Sequence, residues 1–259
     1  MSDRQQHAVL AARHEAEKVF HDQKFGDHDH TPRHYDANPT APVFDRMLAM
    51  AGRDLTGKRV LEYGCGEGWI TADLAERGAQ VSAFDISPVA VQQSREFAAK
   101  RGVGDRCTIE VMAGEKLTYK DESFDIVMGF AILHHLELTA ALKEMRRVLA
   151  PGGRAYFAEP LGSNPLINAY RRMTPQYRTA DEKPIDLTEF TRLTSEFSGV
   201  EHHDQLLLAS GAMALCYVPG LRSTAAPTQR FLMRVDDVLL KAAPWAGRWA
   251  WYSILVMKK

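Results

Sequence analysis

The chain has 259 residues, which is enough to bury a full hydrophobic core, and an α/β chain of this length commonly forms one domain. Its 32 Lys and Arg residues nearly balance its 33 Asp and Glu residues, so the overall field gives little attraction to nucleic acid or to an anionic membrane. The composition therefore argues against a nucleic-acid-binding protein, and we expect the partner to be a small molecule.

Cysteine usage and hydropathy indicate the compartment. Cys65, Cys107 and Cys216 are widely spaced and lack a paired metal-ligand pattern, which favours a reducing environment. Residues 1–20 are charged throughout and contain no apolar core of the signal-peptide type. The most apolar late stretch, residues 231–259, is interrupted by charged residues and proline, so it does not supply the roughly 20 apolar residues of a membrane span. We expect a cytoplasmic protein, a monomer or a homodimer.

The N-terminal part, residues 1–52, is predicted to form a helical cap. Residues 1–25 have a helical pattern, residues 26–42 are loop-like and rich in His, Asp and Pro, and a second short helix covers about 43–52. The His and Asp residues between positions 21 and 30 are interpreted as part of a solvated loop. No single element has the spacing of two histidines and a carboxylate, so we expect no metal site.

Strand-like and helical segments alternate in the first part of the core, which we predict to span residues 53–259. The strand-like runs are 59–63, 79–85, 107–112, 124–130 and 154–159. Helical patterns separate most of these runs, which predicts βαβ units and a parallel sheet covered on both faces. In the last of these helices an apolar stripe runs from Leu138 to Leu149, and Pro151 is expected to end the helix.

The regular alternation fades after residue 160. Residues 160–200 contain three prolines, paired arginines and two tyrosines, so we interpret them as an insertion or lid. Residues 231–259 predict a helix followed by a final strand. Trp245, Trp249, Trp251 and Tyr252 are expected to build that strand and its packing, and an aromatic wall for a hydrophobic substrate is the alternative.

A glycine-rich turn follows the first strand, in the sequence Glu62-Tyr63-Gly64-Cys65-Gly66-Glu67-Gly68. A strand that ends in glycines and opens a helix lets backbone N–H groups approach a ligand closely. The next strand ends at Asp85, whose carboxylate would accept hydrogen bonds from both hydroxyls of a ribose. The glycine spacing differs from the G-x-G-x-x-G of dinucleotide-binding dehydrogenases, which disfavours a pyrophosphate cradle.

These motifs resemble those of class I S-adenosylmethionine-dependent methyltransferases, specifically the small-molecule type 11 group. The resemblance rests on the glycine turn and Asp85, and it continues through Ser123-Phe124-Asp125-Ile126-Val127, Leu133-His134-His135-Leu136 and Arg147-Val148-Leu149-Ala150-Pro151-Gly152-Gly153. It covers about residues 55–160. It implies a Rossmann-like, doubly wound, mostly parallel seven-stranded sheet with helices on both faces. The implied activity is methyl transfer from S-adenosylmethionine to O, N or C of a small molecule such as a secondary metabolite.

The resemblance also implies a set of cofactor-binding residues. They are Tyr35, Glu62, Gly64, Cys65, Gly66, Gly68, Asp85, Ile86, Gly114, Glu115 and Phe130. Members of the group often carry an aspartate before the adenine-contacting loop, whereas this chain has Met112-Ala113-Gly114-Glu115. Adenine recognition is therefore assigned to the Gly114 backbone or to Glu115. Tyr35 either covers the cofactor or packs on the core.

Candidate catalytic residues follow the fourth and fifth strands. His134 or His135 would accept a proton from the acceptor, or the pair would serve only to turn the chain. Glu159 would face the pocket or act as a capping carboxylate. In the insertion, Tyr170, Arg171 and Tyr177 are candidate substrate contacts, because arginines beside tyrosines bind carboxylate or phosphate groups; a solvated helix face is the alternative.

Two other functions fit the same fold. One is a nucleotide-dependent oxidoreductase, which binding of a reduced nicotinamide would reveal. The other is a catalytically silent cofactor-binding regulatory subunit, against which the intact glycine turn and Asp85 argue.

Overall fold

A computed structural model describes residues 3–26, 39–179 and 182–259. The helices are α1 (Asp3–Gly26), α2 (Ala41–Ala51), α3 (Trp69–Glu76), α4 (Pro88–Lys100), α5 (Leu138–Val148), α6 (Pro165–Met173), α7 (Leu187–Leu193) and α8 (Ala225–Ala242). The strands are β1 (Arg59–Tyr63), β2 (Gln80–Asp85), β3 (Cys107–Val111), β4 (Phe124–Phe130), β5 (Leu149–Pro160), β6 (Gly199–Gln205) and β7 (Tyr252–Lys258).

The strands form one seven-stranded sheet in the order β3-β2-β1-β4-β5-β7-β6. The pairs from β3 to β5 are parallel, and β7 runs antiparallel to both of its neighbours. The strand order reverses between β1 and β4. In open α/β sheets this reversal leaves a crevice at the carboxyl ends of the strands, and ligands bind there. The predicted fold class is therefore confirmed.

Alternating side chains of the parallel strands build a core on each face of the sheet. On β1, Val60 packs with residues of α2, α3 and α4, whereas Leu61 packs with residues of α5 and α7 on the opposite face. Both side chains are fully buried. This period-two alternation between two apolar layers explains why adjacent residues of the strand, Val60 and Leu61, are both apolar.

Two expectations about element boundaries are wrong, and one strand has no counterpart among the predicted elements. Helix α5 ends at Val148, and Leu149 already belongs to β5, because its backbone pairs with Phe124 of β4. Strand β6 has no apolar alternation in its sequence; it is mostly exposed and is held by its pairing with β7. Trp245 and Trp249 lie in an exposed 3-10 segment before β7 and are not part of that strand.

Helix α1 confirms the predicted N-terminal helix and extends it to Gly26, so His21 and Asp22 are helical and do not belong to a loop. The rest of the proposed solvated His/Asp segment, from position 27 to 30, lies outside the described residues. Residues 160–200 form α6, a short 3-10 turn, α7 and the beginning of β6, as expected for an insertion that is not another plain βα unit.

Candidate functional site

A cavity of about 620 Å³ opens at the carboxyl ends of the parallel strands. Ligand pockets for small molecules and cofactors usually have volumes of roughly 300–1,000 Å³. Its wall includes most of the residues predicted from the sequence: Gly64, Cys65, Gly66, Asp85, Ile86, Gly114, Glu115, Phe130, His134, His135, Tyr170, Arg171 and Tyr177. Glu62, Gly68 and Glu159 are not in that wall, and Tyr35 lies outside the described residues.

The glycine turn brings backbone directly to the cavity. Gly66 has a φ of +48°, a backbone conformation that residues other than glycine rarely adopt. A Cβ there would lie 3.4 Å from the Phe25 ring of α1. Gly68 has a different role from the one predicted. A Cβ at Gly68 would lie 2.5 Å from the Cα atom of Ser94, so this glycine allows α3 to pack closely against α4.

Asp85 connects the glycine turn to the end of β2. Its Oδ2 atom accepts a hydrogen bond from the Gly66 amide at 3.1 Å, and its Oδ1 atom accepts one from the Ser87 amide at 2.9 Å. The carboxylate lines the cavity while these two bonds fix its orientation. Each carboxylate oxygen has a further lone pair with which it can accept a ligand hydroxyl.

Glu62 lies behind the cavity wall, contrary to the expectation that it contacts the cofactor. Its side chain is fully buried, and its Oε2 atom accepts a hydrogen bond from the Thr71 hydroxyl at 2.5 Å. Its Oε1 atom has no hydrogen-bond partner among the described residues. Burial raises the pKa of Glu62 to about 8. The residue therefore supports the first turn of α3 from beneath.

Glu115, which follows β3, is held by protein groups on both oxygens. Its Oε2 atom lies 3.0 Å from the Nε2 atom of His14, and its Oε1 atom accepts a hydrogen bond from the Glu137 amide at 2.9 Å. Gly114 is tightly enclosed, because a Cβ there would lie 3.0 Å from the Leu136 side chain. Of the two residues assigned to adenine recognition, Gly114 presents backbone to the cavity, and Glu115 connects α1 to the core.

His134 and Glu159 form a buried pair at the end of β4. The Glu159 Oε1 atom accepts hydrogen bonds from the amides of Ile132 and Leu133 at 2.9 and 2.8 Å, and its Oε2 atom lies 2.7 Å from His134 Nδ1. Burial raises the pKa of Glu159 to about 7 and lowers the pKa of His134 to about 3. Only the imidazole reaches the cavity, so Glu159 positions His134 and does not itself face a ligand.

His135 faces helix α1 across the cavity. Its Nδ1 atom lies 3.1 Å from the Oε2 atom of Glu17, and His21, one helical turn further along α1, lies 3.4 Å from the same oxygen. The other Glu17 oxygen accepts a hydrogen bond from the Thr179 hydroxyl at 2.6 Å. Glu17 was not among the site residues predicted from the sequence. The available signal was its spacing of four residues from His21, which places both on one face of a helix.

An aromatic cluster forms the apolar side of the cavity. The Phe130 ring stacks on Tyr252 at a centroid distance of 5.8 Å, and it contacts Phe44 at 6.0 Å and Trp69 at 6.5 Å. Trp251 also lines the cavity and packs against Tyr252. Trp69 lines the cavity and was not predicted as a site residue, because single aromatic residues in helices are usually core residues; Phe44 packs behind it in the core.

The insertion covers another side of the cavity with polar side chains. The Arg171 guanidinium donates hydrogen bonds to the Leu161 carbonyl at 3.0 Å and to Asn168 Oδ1 at 3.1 Å. Arg178 lies over the Tyr170 ring at 5.8 Å and donates to the Thr174 carbonyl. These arginines are therefore fixed by the insertion itself; both line the cavity, and Arg178 is paired there with Glu182 at 3.6 Å.

Comparison with known proteins agrees with this architecture. Residues 61–157 match a family model described as a methyltransferase domain. The chain is similar to a sterol 4-C-methyltransferase of Caenorhabditis elegans, with 34% identity over 36% of this chain and 28% of that protein. It is also similar to the aklanonic acid methyltransferase DauC of a Streptomyces strain, with 33% identity over 45% of this chain and 54% of that protein.

A solved structure extends the likeness beyond the matched segment. A putative sarcosine dimethylglycine methyltransferase from Galdieria sulphuraria superimposes with a TM-score of 0.58 at 16% identity, over 85% of each chain. At a sequence identity of 16%, this similarity shows that the two proteins share a fold.

The match of residues 61–157 to the methyltransferase-domain model confirms the predicted resemblance. The chain spans about a quarter to a half of the length of the curated relatives that it matches. Among the described residues, no helix is both long and apolar enough to cross a membrane.

Proposed function

We propose that the chain is an S-adenosylmethionine-dependent methyltransferase that methylates O, N or C of a small molecule. One observation carries the proposal: the glycine turn, Asp85 and the His134–His135 turn line the same cavity at the point where the strand order reverses. The family match over residues 61–157 includes all three features.

The cavity wall fits the three parts of S-adenosylmethionine. Gly64 and Gly66 present only backbone, which allows close approach of the amino-acid part. A side chain at Gly64 would clash with Ile132, and one at Gly66 would contact Phe25. Asp85 presents a fixed carboxylate to the ribose hydroxyls. The segment from Met112 to Gly114 lines the next stretch of wall and would hold the adenine.

The cofactor supplies an already activated methyl group, so the protein has to align an acceptor and exclude water. The His134 imidazole, held by Glu159, is neutral because burial lowers its pKa to about 3. A neutral imidazole in this place orients an acceptor hydroxyl or amine and accepts its proton as a weak base. Alignment then contributes more to the rate than proton transfer.

The acceptor that this wall favours is planar and largely apolar. The cluster of Phe130, Trp69, Trp251 and Tyr252 offers ring faces and edges to such a molecule. Arg171 and Tyr177, on the insertion, would contact polar substituents at its rim. The relatives named above include a sterol methyltransferase and an aklanonic acid methyltransferase, which is compatible with an acceptor of this type.

The test is calorimetric titration of the protein with S-adenosylhomocysteine, followed by methylation assays with labelled S-adenosylmethionine against phenols, amines and polycyclic acceptors. Binding and labelled product are the expected results. Binding of reduced nicotinamide in place of S-adenosylhomocysteine would overturn the assignment. We further propose a cytoplasmic monomer or homodimer; the free thiols of Cys65, Cys107 and Cys216 suit that reducing compartment.

A further inference from the structure

Three potential metal ligands meet where helix α1 crosses the His134–His135 turn. Glu17 and His21 come from one face of α1, and His135 comes from the turn after β4. The ligand atoms of the three side chains all lie within 4.8 Å of one another. The Glu17 side chain is 6% exposed, that of His135 11% and that of His21 14%.

Hydrogen bonding within the protein does not satisfy this cluster. Glu17 Oε2, His135 Nδ1 and His21 Nδ1 are buried, and none has a well-aligned hydrogen-bond partner among the described residues. The His135 Nδ1 atom and the His21 Nε2 atom lie 3.1 and 3.4 Å from Glu17 Oε2, yet a ring hydrogen on either nitrogen is not directed along these lines. A buried carboxylate oxygen without a donor is costly, and native proteins rarely leave one in this state.

The same distances suit a shared metal ion. Around a tetrahedral zinc ion with bonds of about 2.0–2.1 Å, neighbouring ligand atoms lie roughly 3.3 Å apart. The two measured separations from Glu17 Oε2 bracket this value. Two imidazoles and one carboxylate are also a common ligand set of catalytic zinc sites, which keep a fourth position open.

We propose that Glu17, His21 and His135 bind a divalent transition-metal ion of the zinc type. All three residues line the cavity, so the open coordination position faces the space in which an oxygen-bearing ligand or water would lie. The site joins α1 to the sheet, because α1 supplies Glu17 and His21 and the turn after β4 supplies His135.

The ligand chemistry selects among metals. Imidazole suits zinc, cobalt, nickel, copper and iron, whereas magnesium prefers oxygen ligands and retains its water. A second group, formed by His134, His135 and Glu182, shares His135 and places further donors at the edge of the site. We assign the ion to the first group, because its carboxylate oxygen, Glu17 Oε2, is buried without a well-aligned donor among the described residues.

The experiment uses the full chain after treatment with a chelator and its removal. Zn²⁺ is titrated by calorimetry, and Co²⁺ is followed through its visible absorption, which reports imidazole and carboxylate ligation without any assay of activity. We expect equimolar binding with a dissociation constant on the order of 1 µM or tighter. Loss of one ligand, in Glu17→Gln or His21→Ala, should weaken binding at least about tenfold.

Glu17→Gln keeps the size of the side chain, so its result stands even if His21→Ala loosens α1. The matched control is His14→Ala, which removes a histidine of the same helix that contacts Glu115 and not this cluster. It should bind both ions with wild-type affinity. The proposal is overturned if the wild type binds neither ion in this range, if Glu17→Gln binds Zn²⁺ like the wild type, or if His14→Ala weakens binding as much as Glu17→Gln does. None of these outcomes depends on S-adenosylmethionine binding.

Discussion

The Nδ1 atom of His134 lies 2.7 Å from the Oε2 atom of Glu159, and both side chains are buried. The other oxygen of Glu159 accepts hydrogen bonds from the amides of Ile132 and Leu133. One carboxylate thus fixes both the backbone of the turn and the orientation of the histidine that reaches the cavity. Glu159 was predicted as a catalytic candidate, and its geometry assigns it a positioning role instead.

Replacing Glu159 by alanine should therefore destabilise the fold. Two buried groups, the Leu133 amide and the His134 imidazole, would lose their partner, and each unsatisfied buried donor costs about 1–3 kcal/mol, so we expect a loss of roughly 2–6 kcal/mol in the free energy of unfolding. Urea denaturation measures this loss of stability. Glu76→Ala, which removes a partly exposed partner of Arg101, should change stability by at most about 1 kcal/mol. Similar losses in the two variants would contradict the role of Glu159.

His134→Ala should lower kcat while leaving cofactor affinity nearly unchanged. General-base assistance typically contributes about 10²- to 10⁴-fold. Burial makes His134 a weak base, so we expect a loss near the lower end of that range. Steady-state kinetics with an acceptor identified by the methylation assays, combined with calorimetry of S-adenosylhomocysteine binding, separates the two effects. A loss below about threefold would transfer proton removal to a tyrosine or to water.

Glu62 should make stability depend on pH in the absence of ligand. Burial raises its pKa to about 8 from the ordinary value of 4.5, so the folded state binds a proton that the unfolded state has released. The corresponding stability is complete below about pH 4.5 and is lost as the pH rises towards 8, at about 1.4 kcal/mol per pKa unit. Glu62→Gln should remove this component of the pH dependence.

The measurement is urea denaturation of wild type and Glu62→Gln between pH 5 and pH 9, the range that spans the titration of a group with a pKa near 8. The stability difference between the two proteins should grow in favour of the glutamine variant as the pH rises. A difference that is constant across this range would show that Glu62 titrates normally in the folded protein.

Removing helix α1 should open the cavity without unfolding the sheet. The two hydrophobic cores contain no residue of α1, whereas His14, Glu17, His21 and Phe25 line the cavity. We expect deletion of residues 1–36 to leave the circular dichroism spectrum of a folded α/β protein, to weaken S-adenosylhomocysteine binding by about tenfold or more, and to abolish turnover.

Deletion of residues 1–10 is the matched control, since the first described residue in the cavity wall is His14. This shorter deletion should keep cofactor affinity close to that of the wild type. If the longer deletion also binds and methylates normally, α1 has no part in the site.

The sequence predicted the central sheet because local signals and packing agree there. Strand β1 has an adjacent apolar pair, Val60 and Leu61, and is followed directly by Gly64, and its predicted bounds match the structure. The glycine turn and Asp85 were located correctly because their spacing follows from the strand–turn–helix unit itself. Strand β6 lacks such a signal: its stability comes from pairing with β7, which no local pattern encodes.

The site residues that were missed come from elements distant in sequence. The contact between Glu17 and His135 spans most of the N-terminal half of the chain, and it depends on how α1 lies across the cavity. The direction of the Glu62 side chain could not be predicted either. Glu62 was assigned to the cofactor because it precedes the glycine turn. Its side chain points under α3 towards Thr71, a direction that the motif alone does not define.

The most direct test of the proposed function is the affinity of S-adenosylhomocysteine for wild type, Asp85→Ala and Asp125→Ala by titration calorimetry. Asp125 is the matched control, because its carboxylate pairs with Arg59 at the start of β1, at the opposite edge of the sheet. We predict that the wild type binds, that Asp85→Ala weakens binding by about 1–3 kcal/mol, roughly 5- to 150-fold, and that Asp125→Ala leaves it unchanged. Absence of binding to the folded wild type, or equal weakening in both variants, would contradict the account.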